Sequence, residues 1–153
     1  MKHLQIFIFT LSIIMLVGIF APMYTITAIM DMPSLFGENT QVSKNMSSSL
    51  FQLIIIISQD LKFQELATFS FTILSVIIPL LIVMIAFIEK YEWLFTLATV
   101  YLISCISLLY VYIQKFQDDM VQIQFGWAWA CFLIPGFLVL MIGTYRLIKK
   151  EAK

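Results

Sequence analysis

The sequence predicts an all-α integral membrane protein: a four-helix transmembrane bundle with a structured extracytoplasmic loop between helices 1 and 2. The first observation is the length of the apolar runs. A helix needs about 20 apolar residues to cross a hydrocarbon core about 30 Å thick, and the run from Leu66 to Ile88 has no charged side chain. The second is composition, because 61% of the residues are hydrophobic and 12% are charged, where a soluble domain carries about 25% charged residues. Backbone groups in lipid must bond within their own span, so these runs are expected to be helices.

Four such runs organise the 153 residues into a single expected domain, 1–153. The predicted spans are residues 4–23, 66–88, 93–113 and 127–145. The outward loop 24–65 mixes Ser, Asn, Pro and Gly, which favour turns, with the apolar run Leu50 to Ile57. That run is too short to span, and its pattern leaves open an interfacial helix, a re-entrant segment or a β-strand. The second outward connection, Gln114 to Gly126, is expected to be a plain turn.

The basic residues are divided unevenly between the two ends of these spans. The net charge is zero, which gives no electrostatic basis for binding nucleic acid. One side carries six basic residues: Lys2, Lys90, Arg146, Lys149, Lys150 and Lys153. The other side carries three: Lys44, Lys62 and Lys115. By the positive-inside rule both termini face the cytoplasm. We therefore expect an integral membrane protein with both termini on the cytoplasmic side.

Residue types that perform catalysis are missing from the inner parts of the spans. Proton transfer and nucleophile activation at depth usually need carboxylates, histidines or a metal site. His3 is the only histidine, and Cys105 and Cys131 form neither a CxxC motif nor a Cys/His set. We therefore expect no enzyme activity, no catalytic residue, no metal site and no cofactor.

Two prolines inside spans, together with small and hydroxylated residues, suggest sites that define shape. Pro79 and Pro135 each remove an intrahelical hydrogen bond and favour a kink. Small and hydroxylated residues let helices approach closely and hydrogen-bond to one another, so helix packing explains their presence. The alternative interpretation is a weakly polar pathway along spans two and three. The candidate groove or shape-defining residues are Pro22, Ser75, Pro79, Thr99, Gly126 and Pro135.

Several short motifs in this order resemble one family. They are Gly18–Thr27 at the end of span one, Ser48–Leu53 in the outward loop, Phe69–Leu81 in span two, Trp93–Tyr101 at the start of span three, and Gln124–Trp129 at the entry to span four. Together they resemble the membrane domain of paraquat-inducible protein A, over nearly the whole chain. The resemblance implies a four-helix unit that works with MCE-type periplasmic proteins in moving lipid between bacterial membranes. It also implies a location in the bacterial inner membrane, with the outward loops in the periplasm.

The chain departs from the family pattern at two intramembrane positions. Where the family carries a Lys after the span-two proline and an Asp near the start of span three, this chain has Ile82 and Thr99. It also lacks the cysteine-rich zinc module of larger members. If the family's Lys and Asp support transport by pairing or proton exchange, that activity is lost here and the scaffold retained.

The leading interpretation is a membrane protein of envelope lipid transport or membrane homeostasis that acts through a partner. Expected partners are membrane lipids and either an MCE-type periplasmic protein or another membrane protein subunit. The alternative function is a structural or assembly subunit of a larger membrane complex. A channel is a third class, but the sequence has no charged ring or carbonyl filter motif for it.

Overall fold

The computed structural model describes residues 2–33, 39–59, 66–115 and 121–151. This part of the chain is mostly helical and also contains a small sheet. The elements are, in order, α1 (Lys2–Gly18), β1 (Pro22–Pro33), β2 (Asn39–Ser49), α2 (Leu50–Gln59), α3 (Leu66–Ile88), α4 (Leu94–Lys115), β3 (Val121–Phe125) and α5 (Ala128–Glu151), with a 3-10 turn at Tyr91–Trp93 before α4.

Three helices are long and apolar enough to cross a membrane. The qualifying stretches are Thr68–Ile88, Tyr91–Val111 and Ala128–Lys149, in the predicted spans two, three and four. Large apolar side chains on these helices point outward, among them Leu80, Ile103 and Met141. An apolar exterior suits a hydrocarbon solvent and would be a liability in water. The chain is therefore an integral membrane protein.

Helix α1 ends earlier than the predicted first span, which reached residue 23. It has 17 residues, a length of about 25 Å, and after Gly18 the backbone tightens into i to i−3 bonds, the last from Ala21 N–H to the Gly18 carbonyl. Pro22 follows, and proline has no N–H and disfavours helical conformation in the residue before it. The apolar run thus continues past the helix and becomes the first strand.

The three strands form an antiparallel sheet in the order β2-β1-β3. Strand β1 pairs with β2 along its length, with Tyr24 opposite Ser48, and with β3 over residues 24–28, with Tyr24 opposite Phe125. The all-α expectation was incomplete, and the Gln114 to Gly126 connection is not a plain turn. Ser and Asn in β2 favour turns locally, but pairing with a distant strand overrides that preference.

The Leu50–Ile57 run forms part of helix α2, which excludes the β-strand among its three possibilities. Its start is a reciprocal capping box, in which Gln52 N–H donates to Ser49 Oγ (3.3 Å) and Ser49 N–H donates to Gln52 Oε1 (3.1 Å). Leu50 and Leu53 are buried against the core, whereas Phe51 and Ile55 are exposed.

The four longer helices contact one another in a closed order, α1–α3–α4–α5 and back to α1. Glycines permit two of these contacts. A Cβ on Gly143 would lie 2.6 Å from the Phe95 nitrogen, and one on Gly18 would lie 2.8 Å from the Phe132 ring. The closed order leaves one shared core, to which α1, α2, α3, α4 and α5 all contribute.

Candidate functional site

The best-defined polar contacts converge where α1 passes into β1. The Met23 carbonyl accepts two hydrogen bonds, from Gly126 N–H (2.8 Å) and from Trp129 Nε1–H (2.9 Å). A third bond runs from Phe51 N–H to the Ile19 carbonyl (3.1 Å). We call residues 19–23, Phe51, Gly126 and Trp129 the junction. It joins the end of α1, the start of α2 and the start of α5 to the base of the sheet.

The junction is tightly packed and needs a glycine at position 126. Met23 is fully buried and Trp129 nearly so. A Cβ on Gly126 would lie 1.8 Å from the Pro22 carbonyl oxygen, far inside van der Waals contact. Pro22 itself opens the strand, where its missing N–H costs no ladder bond, and a register shift between Pro22 and Tyr24 follows. Two predicted shape-defining residues, Pro22 and Gly126, are thus in direct contact.

Ser75 and Pro79 lie together on the buried face of α3. The Ser75 hydroxyl donates to the Phe71 carbonyl (2.9 Å) and lies 4.0 Å from the Cys105 sulfur on α4. Pro79 is also fully buried, and because it has no N–H it cannot bond the Ser75 carbonyl one turn earlier. This pair therefore forms a local break in the α3 hydrogen-bond ladder where α3 faces α4.

Thr99 and Pro135 are placed apart from the junction. Thr99 is partly exposed on α4, and its hydroxyl donates to the Phe95 carbonyl (2.8 Å). Pro135 is buried in α5, next to Gly136, whose Cα faces the Tyr101 and Leu102 side chains of α4. The six candidate positions are therefore spread over the junction, the α3–α4 contact and the α4–α5 contact.

Hydroxyl side chains in the helices bond their own backbone. Buried examples include Ser12, Thr72, Ser75 and Ser104, and each donates to the carbonyl four residues earlier, at 2.7–3.0 Å. This pattern satisfies a hydroxyl without a partner on another helix. It favours packing over a polar pathway as the reason for these residues.

Sequence reasoning missed a groove between α1 and α3. It is lined by Gln5, Ile6, Phe9, Ala86 and Phe87, with a volume of about 200 Å³. The Phe9 and Phe87 rings meet edge to face with centroids 6.1 Å apart. The sequence signal was Gln5, an amide side chain one turn before Phe9 in a largely apolar run.

At the same end of the helices, an aromatic contact ties α5 to the turn before α4. The Arg146 guanidinium lies over the Tyr91 ring, 5.1 Å from its centroid, a cation–π geometry.

Ile82, at one position where the resembled family carries a charge, is fully buried in α3. Within the described ranges no three His, Cys, Asp or Glu residues are grouped so that they could hold a metal ion.

Comparison with models of known protein families gives no match, and neither does comparison with curated proteins.

Proposed function

We propose that this chain is an inner-membrane protein of bacterial envelope lipid homeostasis, similar to the membrane domain of paraquat-inducible protein A. It crosses the membrane four times with both termini in the cytoplasm. It acts through a periplasmic partner of MCE type, and it holds lipid and partner by shape and apolar contact without catalytic chemistry.

The junction is the observation that carries this proposal. Three of the motifs behind the resemblance are Gly18–Thr27, Ser48–Leu53 and Gln124–Trp129, and they are far apart in sequence. All three meet at the junction, through the Met23 carbonyl and the Phe51 to Ile19 bond. Motifs that jointly build one structural feature are stronger support for a shared architecture than isolated apolar matches.

The packing of α1 supports a fourth crossing. Gln5, near its start, donates to Glu89 at the end of α3 (2.9 Å), and Gly18, at its end, faces Phe132 near the start of α5. Helix α1 therefore extends over nearly the same depth as α3 and α5, and it runs antiparallel to both. A helix slightly shorter than the hydrocarbon core is accommodated by local thinning at modest cost.

The distribution of charge supports the orientation. Among described residues, Lys90, Arg146 and Lys149 lie at the helix ends away from the sheet, together with the first turn of α1. The positive-inside rule puts that end in the cytoplasm, so the sheet faces the periplasm. A folded sheet on that side, rigidly joined to the helices, is a suitable surface for a periplasmic partner.

Site-specific photo-crosslinking in the native cells tests the proposal. A crosslinking amino acid at Ser47, exposed at the end of β2, is expected to capture a periplasmic MCE-type protein. The same amino acid at Ile103, on the outer face of α4, is the matched control and is expected to capture lipid alone. A strain lacking the chain should show altered envelope lipid distribution, restored by wild type but not by Gly126→Leu.

Two results would overturn the proposal. One is the absence of any MCE-type crosslink at position 47 combined with an unchanged envelope in the deletion strain. The other is capture of a second integral membrane subunit at position 103, which would instead support the structural or assembly role.

A further inference from the structure

The groove between α1 and α3 has an apolar wall and a polar mouth. The wall is made by Ile6, Phe9 and Phe87, all substantially exposed, so the groove is continuous with the lipid-facing surface. Ala86 forms its small, buried floor. Phe9 lies four residues from Gln5, about 6 Å along the helix. The groove therefore occupies the outermost part of the hydrocarbon layer at the end away from the sheet.

Polar groups at the mouth are held in a fixed arrangement. Gln5 Nε2 donates to Glu89 Oε1 (2.9 Å) and also approaches the Ala86 carbonyl (3.4 Å). Glu89 has φ 60°, a left-handed conformation that is uncommon for a residue other than glycine. This backbone ends α3 and places the carboxylate beside Gln5. A carboxylate has about four acceptor positions, so acceptor capacity remains at the mouth.

The charges at the mouth select among lipid headgroups. The exposed Glu89 carboxylate offers an acceptor for a cationic donor, and exposed Lys90 follows it in the chain. An anionic headgroup without an amine would place its negative phosphate near the Glu89 carboxylate. It carries no cation of its own to offset the repulsion between these two groups. A quaternary ammonium has a charge but no N–H to donate. A primary ammonium next to a phosphate complements both residues.

We propose that this groove binds an acyl chain of a phosphatidylethanolamine from the cytoplasmic leaflet, with its ammonium donating to Glu89. The inference rests on the proposed function for its orientation, and it names the lipid class that the protein holds. Gln5 orients the carboxylate, Phe9 and Phe87 line the chain, and Lys90 supplies a cation for the phosphate.

Lipid photolabelling of the full chain in nanodiscs tests this inference. Two probes carry the same diazirine-bearing acyl chain, one on phosphatidylethanolamine and one on phosphatidylcholine, and labelled peptides are mapped by mass spectrometry. The ethanolamine probe is expected to label the α1 and α3 peptides of the groove about tenfold more than the choline probe, as one hydrogen bond to a charged group would give.

Variants separate headgroup recognition from occupancy. Glu89→Ala, which removes both the charge and the acceptor, should lower ethanolamine labelling more than choline labelling and reduce the preference to near unity. Ile6→Trp should fill the groove and lower labelling by both probes, whereas Ile13→Trp, two turns further along the same face of α1, should leave both unchanged. Equal labelling by the two probes in wild type, or a preference that survives Glu89→Ala, would overturn the inference. Neither result depends on a periplasmic partner, so the crosslinking at Ser47 tests the proposed function independently.

Discussion

At the scale of single residues, Gly126 has the least room for a side chain among the glycines that the structure describes. Its Cβ would meet backbone, the Pro22 carbonyl, whereas a Cβ on Gly136 would meet the Leu102 and Tyr101 side chains at 2.9–3.1 Å. Backbone cannot move aside without breaking the junction. We expect Gly126→Ala to lower the free energy of unfolding by about 3 kcal/mol and Gly136→Ala by about 1 kcal/mol. Denaturant titration in micelles measures both, and equal losses would contradict the geometry.

Trp129 contributes to the junction through one hydrogen bond as well as its ring. Trp129→Phe removes the Nε1–H donor to the Met23 carbonyl while keeping most of the apolar surface, and a loss of about 1 kcal/mol is expected. Trp127→Phe is the control, because that side chain is exposed and its replacement should be nearly neutral. The same titration compares the two variants; matching behaviour would mean that the bond to Met23 contributes nothing.

Tyr101 presents the opposite situation in the core of α4. It is fully buried, and its hydroxyl bonds no nitrogen or oxygen atom of the described residues; the Cys105 thiol beside it is only a weak hydrogen-bonding group. An unsatisfied buried hydroxyl is costly, so Tyr101→Phe is expected to leave stability unchanged or to raise it by about 1 kcal/mol. Tyr101→Leu, which also removes ring volume, should be destabilising. A marked loss of thermal stability in Tyr101→Phe would show that the hydroxyl has a partner in the membrane.

At the scale of elements, α2 packs on the core through Leu50 and Leu53. From sequence alone, Ile55→Asp is expected to destabilise more than Ser48→Asp, but the structure identifies Leu53 as the buried anchor and Ile55 as 43% exposed. Leu53→Asp should therefore cost more than Ile55→Asp, because it places a charge in the core. Thermal unfolding of the two variants in detergent gives the order, and the reverse order would mean that α2 docks through its other face.

The three qualifying helices were predictable from the sequence, whereas the strands were not predicted. Helices α3, α4 and α5 were predictable because a long apolar segment in lipid can satisfy its backbone hydrogen bonds within itself only as a helix. Strand β2 is rich in Ser and Asn, and only its pairing with β1 makes it a strand. A signal was present in β3, where Val121, Ile123 and Phe125 alternate with glutamines, the period of a half-buried strand.

The candidate site was predictable in part for a similar reason. Pro22, Pro79 and Gly126 are residues with unusual backbone properties, and such residues are visible in a sequence. Their partners are not: the contact of Gly126 with Pro22 joins residues on different elements. The groove was invisible as well, because Phe9 and Phe87 resemble every other lipid-facing aromatic until α1 and α3 are placed side by side.

At the scale of the whole molecule, each strand of the sheet is directly connected to a helix. Strand β1 continues from α1, β2 runs directly into α2, and β3 leads into α5, with the junction binding these passages together. A partner bound to the sheet would therefore contact strands that are directly connected to α1 and α5. That connection is useful only if the sheet and the membrane helices face the compartments assigned to them.

Topology is therefore the central claim, and impermeant maleimide labelling of single cysteines in spheroplasts tests it most directly. In a background lacking Cys105 and Cys131, Ser47→Cys should react in intact spheroplasts. Lys2→Cys and Lys149→Cys should react only after the membrane is permeabilised. Reaction of Lys2→Cys together with Ser47→Cys in intact spheroplasts would mean that α1 does not cross, and protection of Ser47→Cys would invert the orientation; either result would contradict the account.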